Sequence, residues 1–178
     1  DIKAAGYSGI EWFPFGEESD PELVVDLLLK YDLKYTIVMT VLGTYSSFDE
    51  YVVLMNRQLE ELTLMGKGLL SPLFISAQIG REFFTSEQIG ICIGNSEAVS
   101  RLNNIPIYHE THRNKWSFAS HICWDVLKQN AALLLTLDVS HWFCVSESYL
   151  EDQKPAVALA IARSRHIHAR IGHTQGSQ

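Results

Sequence analysis

The sequence predicts an α/β fold, a (β/α)8 TIM barrel with about six of its eight strands present, on three observations. Short β-rich runs alternate with amphipathic segments of helical spacing, the pattern of βα units around a parallel sheet. Six such units are more than a 178-residue doubly wound sheet takes naturally and fewer than a closed barrel of about 250 residues needs. The ends "DIKAAGYSGIEW" and "HARIGHTQGSQ" read as a helix end running into a strand and as a loop just past one. One strand at each end is therefore expected to be missing from residues 1–178, which otherwise form a single domain.

The elements follow in order. "GIEWF" (9–13) is the first strand, and in "SDPELVVDLLLKYDL" Asp20 caps a helix with Pro21 in its first turn. "KYTIVMT" (34–40) is the second strand. The segment 48–66 sets Val52, Met55, Leu59 and Leu62 on one stripe and stops at Gly66, a left-handed terminator. After the strand "LFISAQI" (73–79), residues 85–104 open on a Ser/Thr cap but carry Gly90 and Gly94. Each of these costs about 1 kcal/mol against Ala in a helix interior, so a broken or partly looped helix is expected. The strands "IPIYHE" (105–110), "LLLTLDV" (133–139) and "HIHARI" (166–171) complete the set, separated by helices near 117–130 and 153–165.

Composition narrows the function. A net charge of −7 with only 14 Lys and Arg gives no footprint for phosphate backbones, so no nucleic acid is expected. No apolar run reaches the roughly 18 residues of a membrane span, so no membrane is expected either. The three cysteines are scattered and unpaired in sequence, which fits a reducing, cytoplasmic location; a targeting segment ahead of Asp1 stays open. A small polar ligand suits such a chain, and association of several copies stays open.

In a barrel, functional groups stand at the C-terminal ends of strands. Glu11 follows the first strand's apolar start, and Gln78 and Arg81 end the third. Glu110, His112 and Arg113 end the fourth, and Asp138 and His141 the fifth. On the sixth, alternation puts His166, His168 and Arg170 on one face. Three successive strands thus bring Glu, Asp and His toward one place, a donor set for one divalent ion such as Mn, Zn, Co or Mg. Taken singly, each residue has an ordinary explanation: a strand-end Asp caps a turn, a His packs in a core, and Arg113 or Arg170 pairs with a carboxylate. Aromatic residues also gather after the strands, among them Trp12, Phe13, Phe83, Phe84, Trp116 and Trp142. They suit the rim of a sugar or polyol pocket, although about half are expected simply to pack strands against helices.

"IPIYHETHRN", "LLLTLDVSHW" and "HIHARIGH", in that order, resemble the xylose isomerase-like barrel superfamily of sugar phosphate isomerases, epimerases and inosose dehydratases. The opening "AAGYSGIEWF" resembles that family's second strand, with Glu11 in its usual place. The resemblance implies metal ligation by Glu110, Asp138 and His168, with a fourth ligand, a Glu, expected beyond residue 178. It implies that His141 contacts substrate or orients the site. The implied reaction is proton transfer next to a sugar carbonyl through an enediolate, with Glu110 or the absent Glu as base. His141 and Arg170 would polarise substrate oxygens, His112 and Arg113 would read a distal group, and Trp12 and Trp142 would line the pocket. The chain departs from the ketose 3-epimerases at position 116, where their second Glu is replaced by Trp. A dehydratase with the same metal site and a non-catalytic carbohydrate-binding barrel are the alternatives.

Overall fold

In the computed structural model, which describes residues 2–15 and 20–177, Asp20 accepts hydrogen bonds from the backbone N–H groups of Glu22 and Leu23, both at 3.1 Å. That cap, with Pro21 behind it, starts α1 (Pro21–Lys30). Residues 16–19 and both terminal residues, including Ser19 and Gln178 of the quoted segments, lie outside the described residues.

The strands are β1 (Gly9–Trp12), β2 (Lys34–Thr40), β3 (Ile75–Gln78), β4 (Ile107–Glu110), β5 (Leu135–Leu137) and β6 (Ser164–Ile167). The helices between them are α1, α2 (Phe48–Thr63), α3 (Ser86–Asn103), α4 (Ser120–Gln129), α5 (Val139–Ser146) and α6 (Lys154–Arg163). The strands hydrogen-bond in chain order, β1-β2-β3-β4-β5-β6, and the pairs β1–β2, β4–β5 and β5–β6 are parallel. This is the α/β fold of a partial (β/α)8 barrel. A two-stranded antiparallel ribbon follows, β7 (Gly172–His173) with β8 (Gly176–Ser177), where the sequence suggested only a loop. Among the described residues no helix is long and apolar enough to cross a membrane.

The chain divides into two compact units. The first takes Asp1–Ser76 and Gly94–Ile107. Its core includes Tyr35, Ile37 and Met39 of β2 and Tyr51, Met55, Leu59 and Leu62 of α2, all buried. Two glycines there are dictated by space. A Cβ on Gly9 would lie 2.4 Å from the Lys34 carbonyl oxygen, and one on Gly66, at φ +65°, would lie 2.1 Å from that of Leu70. Helix α2 ends at Thr63, three residues short of Gly66, whose left-handed conformation turns the chain instead.

The second unit takes Ala77–Ile93 and Tyr108–Gln178. It is built on the end of β3 and on β4, β5 and β6, with α4, α5 and α6 beside them. Two expectations need correction. Helix α3, which begins in this unit and ends in the first, is unbroken, because Gly90 and Gly94 are on its exposed side while Ile89, Cys92, Ile93, Ser96 and Val99 form a buried stripe. Burial of that stripe outweighs about 1 kcal/mol per glycine. The run 133–139 is also not one long strand: β5 stops at Leu137, and α5 starts at Val139 under an Asp138 cap.

Candidate active site

Glu110 ends β4 and is buried, 3% exposed. The Gln78 side-chain amide donates to both its carboxylate oxygens at 3.1 Å, and the Ser117 hydroxyl donates to its backbone oxygen at 2.5 Å. Burial works against ionisation of this carboxyl. The hydrogen bond and charge of His168, the Gln78 amide and the charge of His112 together outweigh it and hold the group below its ordinary value.

Asp138 follows β5 and is equally buried. Thr111 fixes its backbone from both sides, accepting from Asp138 N–H at 2.8 Å and donating to Asp138 O at 2.9 Å. The two carboxylate oxygens divide their tasks. Oδ1 caps α5, accepting from Ser140 N–H at 3.1 Å and from Ser140 Oγ at 2.5 Å. Oδ2 faces the other way, 2.8 Å from Arg170 Nη2, 3.6 Å from His141 Nε2 and 3.9 Å from His168 Nδ1.

His168 comes just after β6, tied there by its N–H to the Leu137 oxygen at 3.0 Å. Its Nδ1 is 3.5 Å from Glu110 Oε1. Donor atoms of Glu110, Asp138 and His168 all lie within 4.8 Å of one another, and a second group, Glu110, His112 and His141, meets the same limit. The first set, two carboxylate oxygens and an imidazole, fits a borderline to hard divalent ion by its chemistry, since two buried carboxylates this close call for a cation. Arg170 supplies part of that positive charge in the structure.

His141 stands in the first turn of α5, where the sequence suggested the end of the fifth strand. Burial first, and then the charge of His112, lowers its pKa to about 4, partly opposed by Asp138. The ring is therefore neutral at pH 7. Arg170 has only donors, so with Nη2 at 2.9 Å the His141 Nε2 must accept, which leaves the proton on Nδ1. That Nδ1 is buried and has no hydrogen-bond partner among the described residues. The His112 ring lies 4.1 Å from it, centroid to centroid, and His112 Nδ1 donates to the Arg113 oxygen at 2.6 Å, leaving Nε2 as an acceptor. Burial also keeps His112 below the usual imidazole range.

The other expected residues are distributed differently. Arg113 is half-buried beside His112. Trp142 is 1% exposed and donates its indole N–H to the Ser117 oxygen at 2.8 Å, so it is tied to the segment after Glu110 and presents no open surface to a ligand. Trp116 and Phe84 are likewise buried, whereas Phe83 is 66% exposed. Glu11 and Trp12 belong to the first unit, with Glu11 exposed on β1 and the Trp12 ring edge-on to Tyr35 at 6.0 Å. Sequence reasoning missed Thr111, Ser117 and Ser140, small hydroxyls that carry no pattern of their own. It also missed Lys115, buried in the segment after β4, whose pKa is pushed down to about 8 by burial and by Arg81.

No family model and no curated protein matches this chain. A solved structure does match in fold: the probable 3-DHS dehydratase AsbF, involved in petrobactin synthesis, from Bacillus anthracis. The TM-score is 0.63 at 16% identity, over 93% of this chain. The chain spans 64% of the length of AsbF. The similarity is one of fold.

Proposed function

We propose that this chain is a divalent-metal-dependent enzyme of the xylose isomerase-like barrel superfamily, an isomerase or epimerase that moves a proton next to the carbonyl of a sugar or sugar phosphate. The observation that carries this reading is the meeting of Glu110, Asp138 and His168 from the ends of three successive strands, within 4.8 Å. On this reading residues 1–178 are one barrel domain, and those three residues hold the ion. Bound there, Mn, Zn, Co or Mg supplies Lewis acidity toward a carbonyl and its neighbouring hydroxyl.

The remaining roles belong to the chain's own groups. Ionised Glu110, steadied by Gln78, takes the proton from the carbon beside the carbonyl and returns it to give an enediolate-derived product. Neutral His141 turns its buried Nδ1, which has no partner among the described residues, toward the substrate. His112 and Arg113 read a group farther along the substrate. Trp142 acts through Ser117, keeping the Glu110 loop in place.

A dehydratase is the second reading, favoured by the fold likeness to AsbF. It shares the first proton transfer; the enolate then expels the β-hydroxyl, which leaves as water after taking a proton. One experiment tests both. The chain is incubated in D2O with each of the four ions and a panel of ketoses, aldoses, their phosphates and keto-polyols. Deuterium gained without loss of mass supports the isomerase or epimerase, and loss of one water supports the dehydratase. Neither change with any ion would overturn the enzymatic reading in favour of a carbohydrate-binding barrel.

A further inference from the structure

Both oxygens of Asp138 are engaged. Oδ1 is committed to Ser140 at the start of α5, and Oδ2, the atom nearest His168, carries the Arg170 guanidinium at 2.8 Å. Arg170 is further held by its Nε on Ser140 Oγ at 2.8 Å and its Nη2 on His141 Nε2 at 2.9 Å. An ion bound by Asp138 and His168 would sit about 2 Å from the same Oδ2, within range of strong repulsion from the guanidinium. The two cations therefore compete for one oxygen. Arg170 is also placed to leave: it lies beyond the end of β6, its side chain is 37% exposed, and the next residue, Ile171, is 82% exposed.

Resting on the metal site proposed above, we propose that Arg170 is a built-in counter-cation, which holds Asp138 in the metal-free chain, yields Oδ2 to the incoming ion and is thereby released toward substrate oxygens. Metal then binds before substrate, because only the loaded site has a free guanidinium. The device keeps a buried carboxylate pair from standing uncompensated while the ion is absent. It does so at the expense of metal affinity.

The test uses the whole chain stripped of metal by chelation, titrated with Mn²⁺ alone, as wild type, Arg170→Gln and Arg170→Lys. Arg170→Gln is expected to bind Mn²⁺ about tenfold tighter, since the competing charged hydrogen bond is gone. Its metal-free melting temperature is expected to fall by about 5 °C, with a correspondingly larger rise on adding Mn²⁺. Arg170→Lys, which keeps the charge without the fork, should fall between the two and remain measurable if the Gln variant folds poorly. In wild type, modification of Arg170 by phenylglyoxal, followed by peptide mass, should speed up severalfold once Mn²⁺ is bound. A wild type that binds one ion, with Arg170→Gln no tighter or with Arg170 reacting at an unchanged rate, overturns this inference alone. A wild type that binds no ion overturns it together with the metal site.

Discussion

The two units bury very different side chains. In the first, the buried polar residues among those described are Thr36, Gln58, Thr63, Ser76 and Ser96, all uncharged, and every described Asp, Glu, Lys and Arg stays at least partly in solvent. The second buries Glu110, Asp138, Lys115, His109 and His141, and all seven histidines of the chain fall in it. The first unit has a cavity of about 480 Å³, lined mostly by apolar side chains such as Ile10, Val24, Leu28 and Leu33, together with Lys3 and Tyr31. Ionisable groups are expensive to bury and are kept where they do chemistry. The buried ionisable groups of the second unit are those on which the proposed function rests.

Four changes sharpen or break that contrast. Leu59→Ala, in the fully buried centre of the first unit, should cost about 3 kcal/mol of folding stability in urea titrations yet leave Mn²⁺ affinity of the folded chain unchanged. A parallel loss of affinity would break the division of labour. Asp138→Asn, which keeps an Oδ1 for the α5 cap but loses the charge, should weaken Mn²⁺ binding by more than about 100-fold, the upper range seen for outer-shell partners. Calorimetric titration measures it.

The third concerns acid. His109 is completely buried, its pKa lowered by burial to about 4 against 6.5 when unfolded, and it accepts from the Trp116 indole at 3.3 Å. Above pH 6.5 both states are neutral and the group costs nothing. Between pH 6.5 and 4 the unfolded chain takes up a proton that the folded chain refuses, so stability falls as pH falls. From pH 7.5 to 5 the loss should be about 2 kcal/mol. His109→Asn, which keeps an acceptor near Nδ1, should remove that part of the pH dependence. The smallest effect is Gly90→Ala: nothing lies within 4 Å of the new Cβ, so the helix should gain about 0.5–1 kcal/mol, visible as a small rise in melting temperature.

Strand and helix order was legible because period-2 and period-3.6 runs alternate clearly. The Asp20–Pro21 start of α1 follows directly from its side-chain chemistry. The glycines of α3 misled because a propensity cost says nothing about which side they occupy, and here they occupy the solvent side. Helix α5 stayed hidden because "LLLTLDV" continues into "SHWF" without an apolar break, and only the Asp138 cap marks the change of period. At the site, Glu110, Asp138 and His168 were legible from their strand-end positions. The hold of Arg170 on Asp138 was visible only as one pairing among several, since sequence does not reveal which oxygen faces which donor. Trp142 shows the limit of reading aromatics by position: its ring follows β5 as a pocket residue would, yet it packs inward.

The central claim is that a divalent ion sits among Glu110, Asp138 and His168. Anomalous diffraction from crystals of this chain grown with Mn²⁺ tests it directly. One strong peak is expected about 2 Å from Glu110, Asp138 Oδ2 and His168 Nδ1, with Arg170 turned away. A peak elsewhere, or none with Arg170 still on Asp138, would contradict it.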